Sequence, residues 1–369
     1  MTPALVKSAD RLKQWCIDKA LPFWAKTAQL PDGGWVEHLR LDRSPDFNAE
    51  RRWRILARQI YVYSEAARLG WYQGEEVAQR TFDRLQETGY VQRVTPDGQV
   101  TERRRDLYDH AFYLLGSSSL YRLTRDAKFL KSANDILKTL RDDFSHASGG
   151  WQETPRGEVP RRQNPHMHLF ESSLYLYVAT GDPAHLDIAH EIFKLFEEHF
   201  FDCKNNIVIE YFTIDWKKHT GEKRDFSEPG HAMEWVWLLT QYQNITGQDT
   251  LGYAQRLYDR ALTQRPFFLN DEESASGEIL RETKRLWVQT ESIKAHLAMA
   301  ERGQTGAADC AAALIDGLFG LYLNSDGTWN DQLNACGANI ATTIPVSTFY
   351  HILCMAAETK RVSGLNNQK

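Results

Sequence analysis

Several residues able to do chemistry stand at the leading ends of stretches that are otherwise apolar. Arg58 opens "RQIYVYSEAARL", His110 is in "DHAFYLLG", and Asn164 and His168 sit in "NPHMHLFESSLYLY". His231 begins "HAMEWVWLL", Trp287 and Glu291 belong to "WVQTESIKAHL", and His351 lies in "FYHILCMAAE". A segment that only has to pack needs none of them. Histidine is the side chain whose two protonation states coexist near neutral pH, so histidines gathered at one place imply proton transfer. The pattern HxxE occurs twice, as His168 with Glu171 and His231 with Glu234. Residues three apart share a helical face, and a carboxylate beside an imidazole raises its basicity and fixes its orientation. Glu234 is therefore expected to orient His231.

Other chemistries lack their residues. In "HMH", His166 and His168 look like a ligand pair, but i and i+2 on a helix point about 200° apart. Neither HExxH nor the repeated ExxH of di-iron bundles occurs, so no metal is expected. The absence of GxxxxGK[ST] and GxGxxG leaves phosphate-bearing cofactors unsupported, and there is no GxSxG elbow. No cofactor is expected. The net charge of −5 argues against nucleic acid as the main partner, and the clusters "RRWR" (51–54) and "ERRRD" (102–106) read as solvated edges. Five cysteines without a CxxC pair fit a reducing compartment. No apolar run nears the roughly 20 residues a membrane span needs, and the N-terminus reads as an amphipathic helix rather than a signal peptide. A cytoplasmic enzyme away from membranes, monomeric or homodimeric, is the expectation. Aromatic residues make up 12% of the chain, with 11 Trp, a richness that suits a cleft for flat hydroxylated ligands such as sugars.

The elements that must hold these residues are helices. Apolar residues recur at i, i+3, i+4 and i+7, which predicts apolar helices over 58–69, 109–123, 167–180, 231–246, 287–302 and 347–361. Between them come amphipathic helices over 6–25, 75–87, 126–141, 184–200, 250–262 and 306–322. Residues 58, 110, 168, 231 and 351 are spaced by 52, 58, 63 and 120, with Trp287 and Glu291 inside the last interval. Such a period means stacked helix pairs, and six pairs close into an (α/α)6 barrel or stay an open solenoid. Without a linker, the all-α barrel over 1–369, with short β-hairpins at "DGGW", "SGGW" and "DGTW", is the expected single domain. If alternate helices run antiparallel, the inner N-termini converge, and the polar residues line one mouth.

These segments, with "EPGHAMEWVWLL" (228–239) and "KRLWVQTESIKA" (284–295), resemble the N-acylglucosamine 2-epimerase superfamily in order along nearly the whole chain. The resemblance implies an (α/α)6 barrel that epimerises sugars or interconverts aldoses and ketoses without a cofactor. It implies that His231 and His351 are the paired acid–base groups, and that Arg58, Asn164, His168, Glu234, Trp287 and Glu291 surround a small-molecule sugar. His110 is placed near them by register. "HMHLFE" is similar to the mannose isomerase branch, and the short connections suit a monosaccharide. "KRLWVQTESIKA" is also similar to proteins labelled mannose-6-phosphate isomerase, and Arg54, Arg161 and Arg162 would meet a phosphate or sulfonate. The expectation is an isomerase of mannose-type sugars working through a cis-enediol, with His351 at C2, His231 at ring opening and C1, and Arg58 on the enediolate oxygen. A 2-epimerase, or an isomerase of a 6-phospho- or 6-sulfo-sugar, is the alternative. A glycoside hydrolase on the same barrel using Glu234 and Glu291 would leave the histidines unexplained. A non-catalytic sugar-binding protein would not need two bases.

Overall fold

The computed structural model describes residues 2–221, 226–263 and 267–365. Its helices are α1 (Pro3–Trp15), α2 (Leu21–Thr27), α3 (Arg54–Arg68), α4 (Glu75–Thr88), α5 (Leu107–Thr124), α6 (Ala127–Thr139) and α7 (Gln163–Thr180). There follow α8 (Asp187–Leu195), α9 (Pro229–Thr246), α10 (Leu251–Ala261), α11 (Leu286–Glu301), α12 (Ala307–Leu321) and α13 (Phe349–Ser363). Single π-turns at Cys16–Ala20, Leu140–Phe144 and Phe196–Phe200 either bridge or extend the amphipathic helices.

Two kinds of helix make two layers. Along α11 every residue from Val288 to Met299 is buried, as a helix with no polar face requires. On α6 only the stripe Phe129, Ser132, Ala133, Ile136 and Leu137 is buried, at helical spacing. The odd-numbered helices from α3 to α13 touch in sequence, and α13 also touches α3, so the inner ring is closed. Each of α4, α6, α8, α10 and α12 packs outside the inner helix that precedes it in the chain. The outer partner of α13 is α1, the first helix. This is the (α/α)6 barrel, not the open solenoid. Small residues set the spacing: a Cβ on Gly116 of α5 would lie 3.1 Å from the carbonyl oxygen of Ala57 on α3. No helix among the described residues is long and apolar enough to cross a membrane.

Strands of two or three residues gather at the N-terminal mouth. Arg51–Arg52, Arg161–Arg162, Phe226–Ser227, Lys284–Arg285 and Ile344–Pro345 each lie just before an inner helix and pair with a strand from another connection. The three Gly–Trp turns form smaller bridges, Gln29 with Trp35, Ser145 with Trp151 and Leu323 with Trp329.

A carboxylate recurs in this girdle. Glu37 accepts from Arg52 N at 2.8 Å, Glu153 from Arg162 N at 2.6 Å, and Asp271 from Arg285 N at 2.7 Å. Each thereby satisfies a backbone donor just ahead of an inner helix, where no intrahelical acceptor exists. The backbone carbonyls of the same loops are used too: Leu107 N donates to Glu153 O, Gln163 N to Glu210 O, Leu286 N to Asp331 O and Val346 N to Glu37 O.

Candidate active site

All six inner helices send a side chain into one cleft of about 340 Å³ at this mouth: Arg58 from α3, Tyr108 from α5, His168 from α7, His231 from α9, Trp287 from α11 and His351 from α13. The indole of Trp287 lies between two imidazoles, its ring centre 5.2 Å from that of His231 and 5.8 Å from that of His351. It can lie there because residue 230 is glycine. A Cβ on Gly230 would stand 2.7 Å from the far edge of that indole.

The two imidazoles share a plan: each is buried and each gives Nδ1 to a carboxylate. Nδ1 of His231 is 3.0 Å from both oxygens of Glu210, a loop residue whose side chain also accepts from Gln163 Nε2 at 2.9 Å. Burial alone would lower the pKa of His231, but the charges of Glu210 and Glu228 and the bond to Glu210 outweigh it and push it up to about 9. Its Nε2 meets Asn164 Nδ2 at 3.0 Å, and Asn164 Oδ1 has no partner. Turning that amide over lets Oδ1 accept from a protonated Nε2, so Asn164 can follow either state of the ring.

His351 gives Nδ1 to Glu291 Oε1 at 2.9 Å, and Glu291 Oε2 is ion-paired at 2.6 Å with Lys294 Nζ. Burial, and then the positive charges of Arg58 and Lys294, hold His351 well below the usual imidazole range. His231 is thus an imidazolium and His351 a neutral base, two like groups driven apart by their surroundings.

Below the cleft lies a layer of buried charge. His168 Nδ1 meets Glu171 Oε2 at 3.2 Å and Glu234 Oε1 at 3.8 Å, and Tyr350 donates its hydroxyl to Glu171. Glu234 Oε1 has no hydrogen-bond partner, and burial together with the charge of Glu291 raises its pKa well above the carboxylate range. Glu234 therefore presents a protonated carboxyl to the cleft. Two triads of metal-type donors come within 4.8 Å here, His168–Glu171–Glu234 and Glu234–Glu291–His351. Glu171 and Glu291 are already taken by Tyr350, Lys294 and the imidazoles, and Glu234 is protonated, which is poor chemistry for holding a cation.

Arg58 has no carboxylate within ion-pairing distance among the described residues. Its Nη2 donates to Tyr108 Oη at 2.6 Å and Nη1 to Ser347 O at 3.2 Å, while Nε is buried without a partner. The other arginines at the mouth are neutralised: Arg52 by Glu37, Arg54 by Asp109, Arg162 by Glu153 and Arg285 by Glu228 and Asp271.

Four expectations change. His110 is not at the cleft: its Nδ1 bonds the carbonyl of Asp106 at 2.8 Å, and its ring packs on Tyr90, Tyr113 and Phe144. It matches His166, whose Nδ1 bonds the carbonyl of Arg162 and whose ring is likewise turned outward. Two residues, about 200° of helix, separate it from Tyr108 and from Phe112, which point to the inner face instead. Glu234 does not orient His231, because Glu210 occupies Nδ1. Glu291 stands behind His351, fully buried, rather than facing a sugar. Arg161 is also remote, spending its guanidinium on the carbonyls of Gly149, Trp151 and Ile214. The residues that sequence reasoning missed are Tyr108, Glu210 and Lys294.

Comparison with known proteins identifies the family. The model of the family described as N-acylglucosamine 2-epimerase matches residues 33–355. A protein named mannose-6-phosphate isomerase from Rhizobium meliloti is 32% identical over 95% of this chain and 96% of its own. A D-mannose isomerase from Marinomonas mediterranea is 24% identical over 76% of this chain and 77% of its own. The solved structure of cellobiose 2-epimerase from Spirochaeta thermophila superposes with a TM-score of 0.89 at 21% identity, covering 99% of both chains, which shows the shared barrel. The chain thus belongs to the N-acylglucosamine 2-epimerase family and is a sugar-isomerising or sugar-epimerising enzyme.

Proposed function

We propose that this enzyme interconverts mannose-type aldoses with their 2-ketoses, using His351 as base and His231 as acid. What carries the reading is two buried imidazoles on either side of one indole, each with Nδ1 on a carboxylate, one backed by acids and the other by cations. The cleft of about 340 Å³ is at the small end of ligand sites, which suits a monosaccharide. Trp287 offers an aromatic face for the sugar. Nε2–H of His231 donates to the ring oxygen and Nε2 takes back the proton of the anomeric hydroxyl, which opens the pyranose to the aldehyde and restores the imidazolium. Nε2 of neutral His351 then takes the C2 proton, giving a cis-enediol whose developing negative oxygen faces the unneutralised guanidinium of Arg58. The imidazolium of His231 supplies the proton at C1, and His168, Asn164 and the protonated Glu234 hold hydroxyls.

Charge balance favours a neutral sugar over a 6-phosphorylated or sulfonated one. An arginine-lined cleft does continue outward past Arg52, Arg54, Arg104 and Arg162. Each of those four already has a carboxylate, so a phosphate would have to displace an acid to be met. The test is incubation of the pure protein with free and 6-phosphorylated mannose, glucose and N-acetylglucosamine in heavy water, read by NMR. Fructose from free mannose, with deuterium at C1, is the expected product. Glucose as the sole product would make it a 2-epimerase, and turnover of the phosphate ester alone would overturn the charge argument.

A further inference from the structure

Lys294 is an ammonium with no access to solvent, 2.6 Å from Glu291 Oε2, 3.7 Å from Cys354 Sγ and 3.9 Å from the ring centre of Trp237. It lies three residues after Glu291, hence one turn deeper on the same face of α11. Burial alone would strip its proton. The carboxylates of Glu291 and Glu171 offset this, so it stays charged. A buried lysine beneath an active site has to be explained, because burying an ammonium costs several kcal/mol even after the protein relaxes. Among the described residues the Glu210–His231 pair has no such cation behind it: Glu210 is backed by the amide of Gln163.

We propose that Lys294 is a positioning residue acting through Glu291, whose ammonium keeps the His351–Glu291 pair free of an extra proton so that Nε2 of His351 presents its lone pair to the cleft. The proposal rests on the reading of His351 as the base. In the active form, Nδ1–H donates to the Glu291 carboxylate and Nε2 is bare. One added proton disables this wherever it settles. It makes an imidazolium beside a carboxylate, or a protonated Glu291 whose partner ring has moved its own hydrogen to Nε2. A fixed positive charge next to the pair disfavours both forms, because each adds a unit of positive charge to the pair. The other groups facing the pair are accounted for. Arg58 on α3 and the imidazolium of His231 on α9 act in the same sense, as does His168 on α7 when charged. Glu171 on α7 acts in the opposite sense, and Glu234 on α9 is protonated. On α13 the Cys354 thiol is pushed up to about 12 and the Tyr350 hydroxyl is raised, so both are neutral. Tyr61 on α3 is likewise raised by burial.

The test follows His351 by NMR of ring-labelled histidine across pH, alongside the acid limb of kcat/KM, in the full chain. In Lys294→Met both midpoints are expected to rise by about one pH unit or more, the usual effect of losing a neighbouring charge. Lys294→Arg, which keeps the charge, should stay with the wild type. If Lys294→Met does not fold because Glu291 is stranded, Glu291→Gln is compared with Glu291→Gln/Lys294→Met. The double variant is expected to titrate His351 about one unit or more above the single. Coincident midpoints in either comparison overturn the proposal. The NMR midpoint needs no turnover, so a wild type that converts no sugar would sink the proposed reaction while leaving this measurement to judge Lys294 independently.

Discussion

The cradles of His231 and His351 differ by very little in layout and by a whole charge in outcome. Both rings are buried, both touch Trp287, and both give Nδ1 to a carboxylate at about the same distance. What differs is the next neighbour. Behind Glu210 stands an amide; behind Glu291 stands an ammonium. A nearby acid, Glu228, adds to the first cradle, and a nearby cation, Arg58, adds to the second. A carboxylate on Nδ1 therefore fixes the tautomer of an imidazole but does not fix its charge. The groups one step further out do that.

Removing either ring breaks the comparison outright. His351→Asn and His231→Asn should each lower kcat by roughly 10²–10⁴-fold, the usual contribution of a positioned acid or base. His351→Asn should also stop deuterium entering at C2 of unreacted mannose. An enzyme that retained full exchange without His351 would have another base.

Making the cradles alike comes next. Glu210→Gln removes the charge that opposes burial at His231, so its pKa should fall from about 9 to below the unperturbed value. The alkaline limb of kcat/KM should move down with it, costing roughly 30-fold or more at pH 8. The sign for stability is the same. A raised pKa means that His231 stabilises the fold fully below about pH 6.5 and loses that contribution as pH rises through about 9. Chemical denaturation at pH 7 and pH 10 should show a gap in the wild type that Glu210→Gln narrows.

Gly230→Ala sharpens the comparison from the middle. The new methyl displaces the indole that both rings touch, which should raise KM by about tenfold with a smaller loss in kcat. An unchanged KM would mean that the sugar does not use the indole face.

The smallest effect belongs to the histidine that left the site. His110→Gln should keep kcat/KM within about twofold while changing the acid stability of the fold. Burial holds His110 down to about 4 and, with Arg161 close by, His166 down to about 3. Their contributions are complete above about pH 6.5 and are lost as pH falls toward those values, because only the unfolded chain can take the protons. The wild-type thermal midpoint should drop between pH 6.5 and 4, and less steeply in the variant.

Much of this was legible in the chain. An apolar helix that begins with Arg, His or Trp is visible wherever it occurs, and the repeat brought those beginnings to a common mouth. His110 misled because a helix start has an outer as well as an inner face, and two residues of phase separate them. Glu210 was hidden because it lies in a connection. A signal for it existed: Trp35, Trp151 and Trp329 are each followed two residues later by an acid, Glu37, Glu153 or Asp331. The fourth instance, Val208 with Glu210, lacks the tryptophan that would have marked it. Glu37 and Glu153 cap the backbone before an inner helix; Glu210 does so at Glu228 N, at 3.4 Å, and also holds a ring nitrogen. Lys294 was in plain view in "TESIK", but i, i+3 spacing of opposite charges on a helix usually means an exposed pair. Only the closed ring puts that pair in the dark.

The meeting of α1 with α13 bears on how a cell must make this protein. A polypeptide leaving the ribosome shows Leu5, Ala9 and Leu12 of its first helix long before the surface that covers them exists. Five of the six wall helices can be out while the sixth, with His351, is still untranslated. Until then the nascent chain has a greasy flank, an open gap and no working acid–base couple. The acid–base couple is complete only once α13 closes the ring between α11 and α3 and covers α1.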